Sequence, residues 1–191
     1  MDLGCVIMAA GSGLRFGGNK LARELDGKPL YQRALEAVPD HVFRTVVAVT
    51  QYDAVAALAA EKGFQWVRNR HPDWGVSHTI QLGLAAVGDC GGVLFMTADQ
   101  PFLTSETVAR LAAAFLETPD QIVAAASRGK RGNPCLFPAN LFPELLKLEG
   151  DVGGSRVIRA HPDRLRLMEV PAIQLADADT PEALEQLRQN I

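Results

Sequence analysis

Leu3-Gly4-Cys5-Val6-Ile7-Met8-Ala9-Ala10-Gly11-Ser12-Gly13-Leu14-Arg15-Phe16-Gly17-Gly18-Asn19-Lys20 is the stretch on which the reading of this chain turns. Its first part, Leu3 to Met8, is short, apolar and without alternation, the pattern of a central strand buried on both faces. The remainder is a glycine-rich loop with one Arg and one Lys. Glycines let backbone N–H groups turn toward an anion without a Cβ clash, and Arg15 and Lys20 supply the neutralising charge. The spacing matches neither G-x-G-x-x-G nor G-x-x-x-x-G-K-[ST], because Leu21 follows Lys20. Taken alone, the loop is equally well a structural turn.

Working outward, strand-like and helical patterns alternate. Pro29 starts a helix with Leu30, Ala34, Leu35 and Val38 on one stripe, ended by Pro39. Phe43 to Val49 reads as a second strand rich in β-branched residues. Asp53 is the expected cap of an Ala-rich helix over 54–61 closed by Gly63, and Gln65-Trp66-Val67 is a short third strand. A helix over about 77–87, a buried strand Gly92 to Thr97, a helix over 106–117 capped by Thr104 or Ser105, and a strand Gln121 to Ala126 follow. Strands alternating with helices of this length predict βαβ units, a mainly parallel sheet and one three-layer α/β domain over 1–191. The period breaks after 127, where the basic turn Arg128 to Gly132 leads to Cys135-Leu136-Phe137 as a hairpin, a small antiparallel portion. Helices over 140–147 and 154–160, a half-buried strand Leu165 to Val170 and a last helix over 181–189 complete the chain.

With 191 residues, 48% hydrophobic and 21% charged, the composition is that of a soluble globular protein able to bury a full core. A formal charge of −3 gives no reason to expect nucleic acid or an anionic membrane as partner. Three scattered cysteines, Cys5, Cys90 and Cys135, provide neither a disulfide framework nor a CxxC metal site. No secretory apolar segment and no run near the ~20 residues that span a bilayer is present, so the expected location is the cytoplasm.

Polar clusters after strands carry the chemistry. In Thr97-Ala98-Asp99-Gln100-Pro101, Asp99 follows a buried strand and falls on the same sheet edge as the glycine loop. It is either a Mg²⁺ anchor beside bound phosphates or a turn residue before the next helix. Asp177-Ala178-Asp179-Thr180-Pro181-Glu182 offers Asp179 or Thr180 as a helix cap, or two carboxylates that complete a metal site. In Gly150-Asp151-Val152-Gly153-Gly154-Ser155-Arg156, Asp151 is a candidate cap for the helix that follows it. Gly75, Ser77, His78 and Thr79 open a helix whose N–H groups and hydroxyls suit an anion or a base edge. Lys130, Arg131, Arg156 and Arg159 are either a solvated face or the grip on a second anionic substrate. His41, His71 and His161 read as surface residues, and Cys5 as a small core residue.

Together, Ala9-Ala10-Gly11-Ser12-Gly13-Leu14-Arg15-Phe16-Gly17 with Lys20, Ala98-Asp99-Gln100-Pro101, Gly132-Asn133-Pro134, Gly150-Asp151-Val152-Gly153 and Asp177 to Glu182 resemble the molybdenum cofactor nucleotidyltransferases. The order is closer to the cytidylyltransferase branch than to the guanylyltransferase branch. Phe16 stands where that branch usually has Met, Asn19 where Pro often precedes the Lys, and His78-Thr79 replaces small Ser residues. The resemblance implies a Rossmann-like nucleotidyltransferase domain and Mg²⁺-dependent transfer of CMP, or another NMP, from a nucleoside triphosphate to molybdopterin, with release of pyrophosphate. It implies that Ala9, Ala10, Gly11, Ser12, Gly13 and Arg15 wrap the triphosphate and that Lys20 lies near the α-phosphate. Gly75, Ser77 and Thr79 would complete the nucleotide site. Asp99, with Asp177 and Asp179, would hold the metal, and Lys130, Asn133, Asp151 and Arg156 the phosphate-bearing acceptor. Arg15, Lys20 and Asp99 would be catalytic. Two other readings stay open: a sugar 1-phosphate or alcohol phosphate as acceptor, and a non-catalytic nucleotide- or cofactor-binding maturation factor for a molybdoenzyme.

Overall fold

β1 (Leu3–Ala9) lies in the middle of a seven-stranded sheet in the computed structural model, which describes residues 1–13 and 16–189. Its neighbours are β4 (Thr45–Thr50) and β6 (Gly92–Thr97), both parallel to it. Six of its seven residues are buried, because both sheet faces are covered by helices. The remaining strands are β5 (Gln65–Arg68), β7 (Ile122–Ser127), β8 (Lys130–Pro138) and β9 (Leu165–Glu169), and the order is β5-β4-β1-β6-β8-β7-β9. The pairs β4·β5 and β7·β9 are parallel, while β8 runs antiparallel to both β6 and β7.

The period-2 alternation of β1 splits the core in two. Leu3, Cys5, Ile7 and Ala9 pack on one face with α1 (Leu30–Glu36), α2 (Asp53–Glu61) and α4 (Ser105–Glu117), through Leu35, Val55, Leu111 and Phe115. Val6 and Met8 point to the other face, where α3 (Val76–Val87), α5 (Phe142–Leu146) and α6 (Ser155–Ala160) contribute Ile80, Leu145 and Ile158. This is the expected three-layer α/β arrangement. Burial pushes the Cys5 thiol upward, as suits a core residue.

Some local expectations are corrected. Asp53 lies inside α2 and pairs with Arg68; the cap position is Tyr52, with no side-chain capping bond. The basic hairpin forms, but its turn is Arg128-Gly129, at φ of 52° and 72°, and Lys130 and Arg131 are already strand residues. The Glu169 carboxylate accepts from both turn N–H groups at 2.8 Å. His161 is half-buried and bonds Glu144 at 2.8 Å, so it is not a free surface residue. A two-stranded ribbon, β2 (Glu24–Leu25) with β3 (Lys28–Pro29), was not legible from the pattern. It packs with α7 (Pro181–Arg188) around Leu25, Leu30, Leu184 and Leu187. No described helix is long and apolar enough to cross a membrane.

The chain runs from β1 outward through β4 to β5, then returns to place β6 on the other side of β1. That reversal is a topological switch point. Parallel sheets bind ligands beyond the carboxyl ends of the strands flanking such a point.

Candidate active site

A cavity of about 260 Å³ opens at the switch point, beyond the ends of β1 and β6. After β1, Ala10, Gly11 and Ser12 form one wall; after β6, Thr97, Ala98 and Asp99 form another. Lys20, Gly75, Thr79 and Asp151 complete the polar lining.

The glycine loop is held by the residues that end β4. Thr50 Oγ1, Gln51 Nε2 and Tyr52 OH donate to the carbonyls of Ala9, Ala10 and Gly11 at 3.0, 2.8 and 2.7 Å. In a trans peptide the N–H points opposite to the carbonyl, so the Gly11 and Ser12 N–H groups are turned away from the Gln51 and Tyr52 side chains. Gly13, at φ +62°, then tightens the turn: a Cβ there would lie 2.0 Å from the Gly18 carbonyl oxygen. Thr50, Gln51 and Tyr52 were not singled out from sequence, although a polar triplet ending a strand on the binding edge was the available signal.

Lys20 is presented by a short 3-10 turn, Lys20–Ala22, whose cap is Asn19; its Oδ1 accepts from Leu21 N at 3.1 Å. The Lys20 ammonium donates to Asp99 Oδ2 at 2.6 Å and to Asp179 Oδ1 at 2.7 Å. Burial alone would lower its pKa, but the charges and hydrogen bonds of the two carboxylates outweigh it and hold the ammonium above its ordinary value. The segment carrying Asp179 is fastened to the strand end by a bond from Ala178 N to the Asp99 carbonyl at 2.9 Å. Thr180 is the cap of α7, accepting from Ala183 N, so the capping role falls to it rather than to Asp179.

Asp177 stands in the same negative field. Desolvation by the surrounding chain, with the charges of Asp99 and Asp179, pushes its carboxyl up to about 6. A carboxyl raised in the fold from 3.8 disfavours folding once ionised: the cost is absent below the unfolded value and complete above about pH 6. Asp177→Asn is therefore expected to raise the melting temperature by a few degrees near pH 7.5 and to leave it unchanged near pH 3.5. Paired calorimetric scans at the two pH values check this.

The donors suit a hard cation. Asp99 Oδ1 is buried with no partner among the described residues, as is Thr97 Oγ1. Among the described residues no three His, Cys, Asp or Glu side chains form a ready cage. Mg²⁺ does not need one, since it commonly takes one or two carboxylates and completes its shell with water and substrate phosphates. Asp99, assisted by Asp179 and Asp177, fits that demand.

The helix opening at Gly75 is arranged differently from the expectation. Asp151 does not cap α6, whose cap position is Gly154 without a side-chain bond. Its Oδ1 accepts instead from Val76 N at 3.3 Å, and Gly150 O accepts from Ser77 N at 3.2 Å. Two N–H groups of the α3 terminus are thus used within the protein. Ser77 is buried and does not line the cavity, whereas Thr79 does, its hydroxyl accepting from Asn69 Nδ2 at 3.1 Å. Trp74, stacked on His71 at 4.1 Å with His78 tilted beside it, is exposed.

A second cavity, of about 150 Å³, adjoins the first through Met8, Val76 and Thr97. Its walls are apolar, from Ile80, Phe95, Phe137 and Leu145, and its polar groups are Arg131, Asn133 and Ser155. Arg131 donates to Ser155 Oγ at 2.9 Å. Of the four acceptor candidates, Asn133 lines this cavity and Asp151 the first. Lys130 is exposed on β8, and Arg156 lies in a separate shallow groove with Glu144 and Lys147. Arg131 and Ser155 line the second cavity, and Lys130 and Arg156 do not. Ala9 is buried in β1, and Arg15 lies outside the described residues.

The family model for the MobA-like NTP transferase domain matches residues 5–165. Purine catabolism protein PucB of Bacillus subtilis (strain 168) is 27% identical over 198 residues, covering 96% of this chain and 94% of PucB. Nicotine blue oxidoreductase of Paenarthrobacter nicotinovorans is 29% identical over 202 residues, covering 98% and 96%. Among solved structures, a nucleotidyl transferase from Methanothermobacter thermautotrophicus superimposes with a TM-score of 0.82 at 21% identity, covering 99% of this chain and 97% of that one. Rv0371c of Mycobacterium tuberculosis in complex with manganese gives 0.78 at 22% identity, covering 100% of both chains. The last two establish the Rossmann-like nucleotidyltransferase fold.

Proposed function

The chain belongs to the MobA-like NTP transferase family, and from that premise we propose that it transfers CMP from CTP to molybdopterin, releasing pyrophosphate. The observation that carries the reading is the convergence of Gly11, Ser12, Lys20 and Asp99 on one cavity, with Asp179 paired to Lys20 and a second cavity beside it. The cytidylyltransferase-like order of motifs supports CTP over GTP. The domain spans 1–191 and works in the cytoplasm.

The triphosphate lies along Gly11, Ser12 and Gly13, with Arg15 and Lys20 as counter-charges. The acceptor enters the second cavity, its body against the apolar walls and its polar edge on Arg131 and Asn133. An oxygen of its phosphate attacks the α-phosphorus in line; the new P–O bond forms as the bond to the β-phosphate bridging oxygen breaks, and pyrophosphate leaves. Two anions must approach each other, so Lys20 serves by holding the α-phosphate and offsetting the negative charge that builds on its oxygens. Asp99 and Asp179, with Asp177 beside them, would hold Mg²⁺, which would supply further screening of the phosphate charges. A phosphate needs no strong base to attack.

Purified protein with Mg²⁺, CTP or GTP and molybdopterin is expected to release pyrophosphate fastest with CTP. Absence of turnover with every nucleotide would overturn the reading. Binding of nucleotide without turnover would favour the maturation-factor alternative, and turnover only with a sugar 1-phosphate or alcohol phosphate would reassign the acceptor.

A further inference from the structure

We propose that the Lys20 ammonium is a resident counter-ion that a divalent cation must displace, so that metal and nucleotide enter the site synergistically. The inference rests on the reading above that Asp99 and Asp179 ligate the metal and the loop binds phosphate. Nζ lies 2.6 Å from Asp99 Oδ2 and 2.7 Å from Asp179 Oδ1, and the side chains of Lys20 and Asp99 are each only 15% exposed. One cation therefore already sits between the two carboxylates that the metal needs.

A dication and an ammonium cannot share that place, since at such distances in a part-buried site the two cations repel strongly. Leaving it costs the ammonium two charge-assisted bonds, and without an alternative anion the exchange is uphill. A nucleotide phosphate on Gly11 and Ser12 is that alternative, because both residues line the same cavity as Lys20. The backbone at Lys20 is fixed by the Asn19 cap, so the flexible four-carbon stem makes the move. The nucleotide draws the ammonium off the carboxylates, and the metal fills the vacated position. By linkage each ligand strengthens the other.

The test is Mn²⁺ titration of the full chain, followed by electron paramagnetic resonance without nucleotide. Lys20→Met and Lys20→Gln remove the charge; Lys20→Arg keeps it. Both neutral variants are expected to bind Mn²⁺ about tenfold or more tighter than the wild type, and Lys20→Arg to bind like the wild type. Adding CTP should strengthen Mn²⁺ binding to the wild type by a larger factor than to the neutral variants. Unchanged or weaker nucleotide-free binding by the neutral variants overturns the exchange. A neutral variant that folds only with Mn²⁺, as circular dichroism would show, supports it; one that stays unfolded in saturating Mn²⁺ overturns it. Pyrophosphate release by the wild type is read separately: its absence removes the proposed activity and leaves the Mn²⁺ result standing.

Discussion

Asp99→Ala is expected to lower pyrophosphate release by about a thousandfold while the protein still folds. The size follows from what the side chain faces. Its Oδ2 holds Lys20 at 2.6 Å, and its Oδ1 is buried with no partner among the described residues, so on the proposed reading one carboxylate would order the phosphate-binding cation and offer a ligand to the metal. Truncation removes both at the point where charge develops. Stability should change far less: the backbone bond from Ala178 N to the Asp99 carbonyl does not depend on the side chain, and Lys20 retains Asp179. The checks are steady-state kinetics at saturating Mg²⁺ and a thermal melt of the same preparation. A loss in kcat that persists at high Mg²⁺ marks the side chain as part of the chemistry. Near-wild-type turnover would remove Asp99 from the mechanism.

The parts of the fold written in short-range patterns were legible. An unbroken apolar run such as Leu3 to Met8 has one good solution, a strand covered on both faces, and the Thr104-Ser105 pair announced a helix, capped by Thr104, because an N-cap needs only local geometry. The edge of the sheet on which Asp99 and the glycine loop meet also followed, since it depends on strand direction rather than on any contact. What escaped was non-local. Asp151 looked like a cap for its own helix, and only the tertiary fold reveals that the open N–H group within its reach belongs to α3, seventy-five positions earlier. Arg131 and Arg156 looked equivalent as basic residues near glycines. Strand register turns Arg131 into the second cavity, while helix phase puts Arg156 on another surface. The bracing of the loop by Thr50, Gln51 and Tyr52 showed only as a polar triplet at a strand end, with nothing to say which carbonyls it holds. Side-chain to backbone bonds across adjacent strands leave no periodic trace.

Gly75→Ala is expected to destabilise the protein by roughly 3–5 kcal/mol and to weaken nucleotide binding at the same time. Two separate causes add. The residue sits at φ +86° and ψ −178°, a region nearly closed to residues with a Cβ. A Cβ there would also lie 2.3 Å from Gly150 C, 2.4 Å from Gly150 O and 2.5 Å from Asp151 N, all backbone atoms that cannot rotate aside. Relief requires the 150–151 segment to move outward. That movement breaks the bonds from Ser77 N to Gly150 and from Val76 N to Asp151, and so frees the start of α3. Gly88, at the other end of the same helix, separates the two causes: its φ is +72°, but a Cβ at that position would meet nothing within 4 Å. Gly88→Ala should cost only about 1 kcal/mol. Chemical denaturation of both variants measures the difference, which is the energy of the clash. Because Gly75, Val76 and Asp151 all line the polar cavity, Gly75→Ala should also raise the KM for CTP by about tenfold, a change Gly88→Ala should not share. Equal destabilisation by the two substitutions would show that backbone strain alone accounts for Gly75, and that the loop at 150–151 yields freely without disturbing the site.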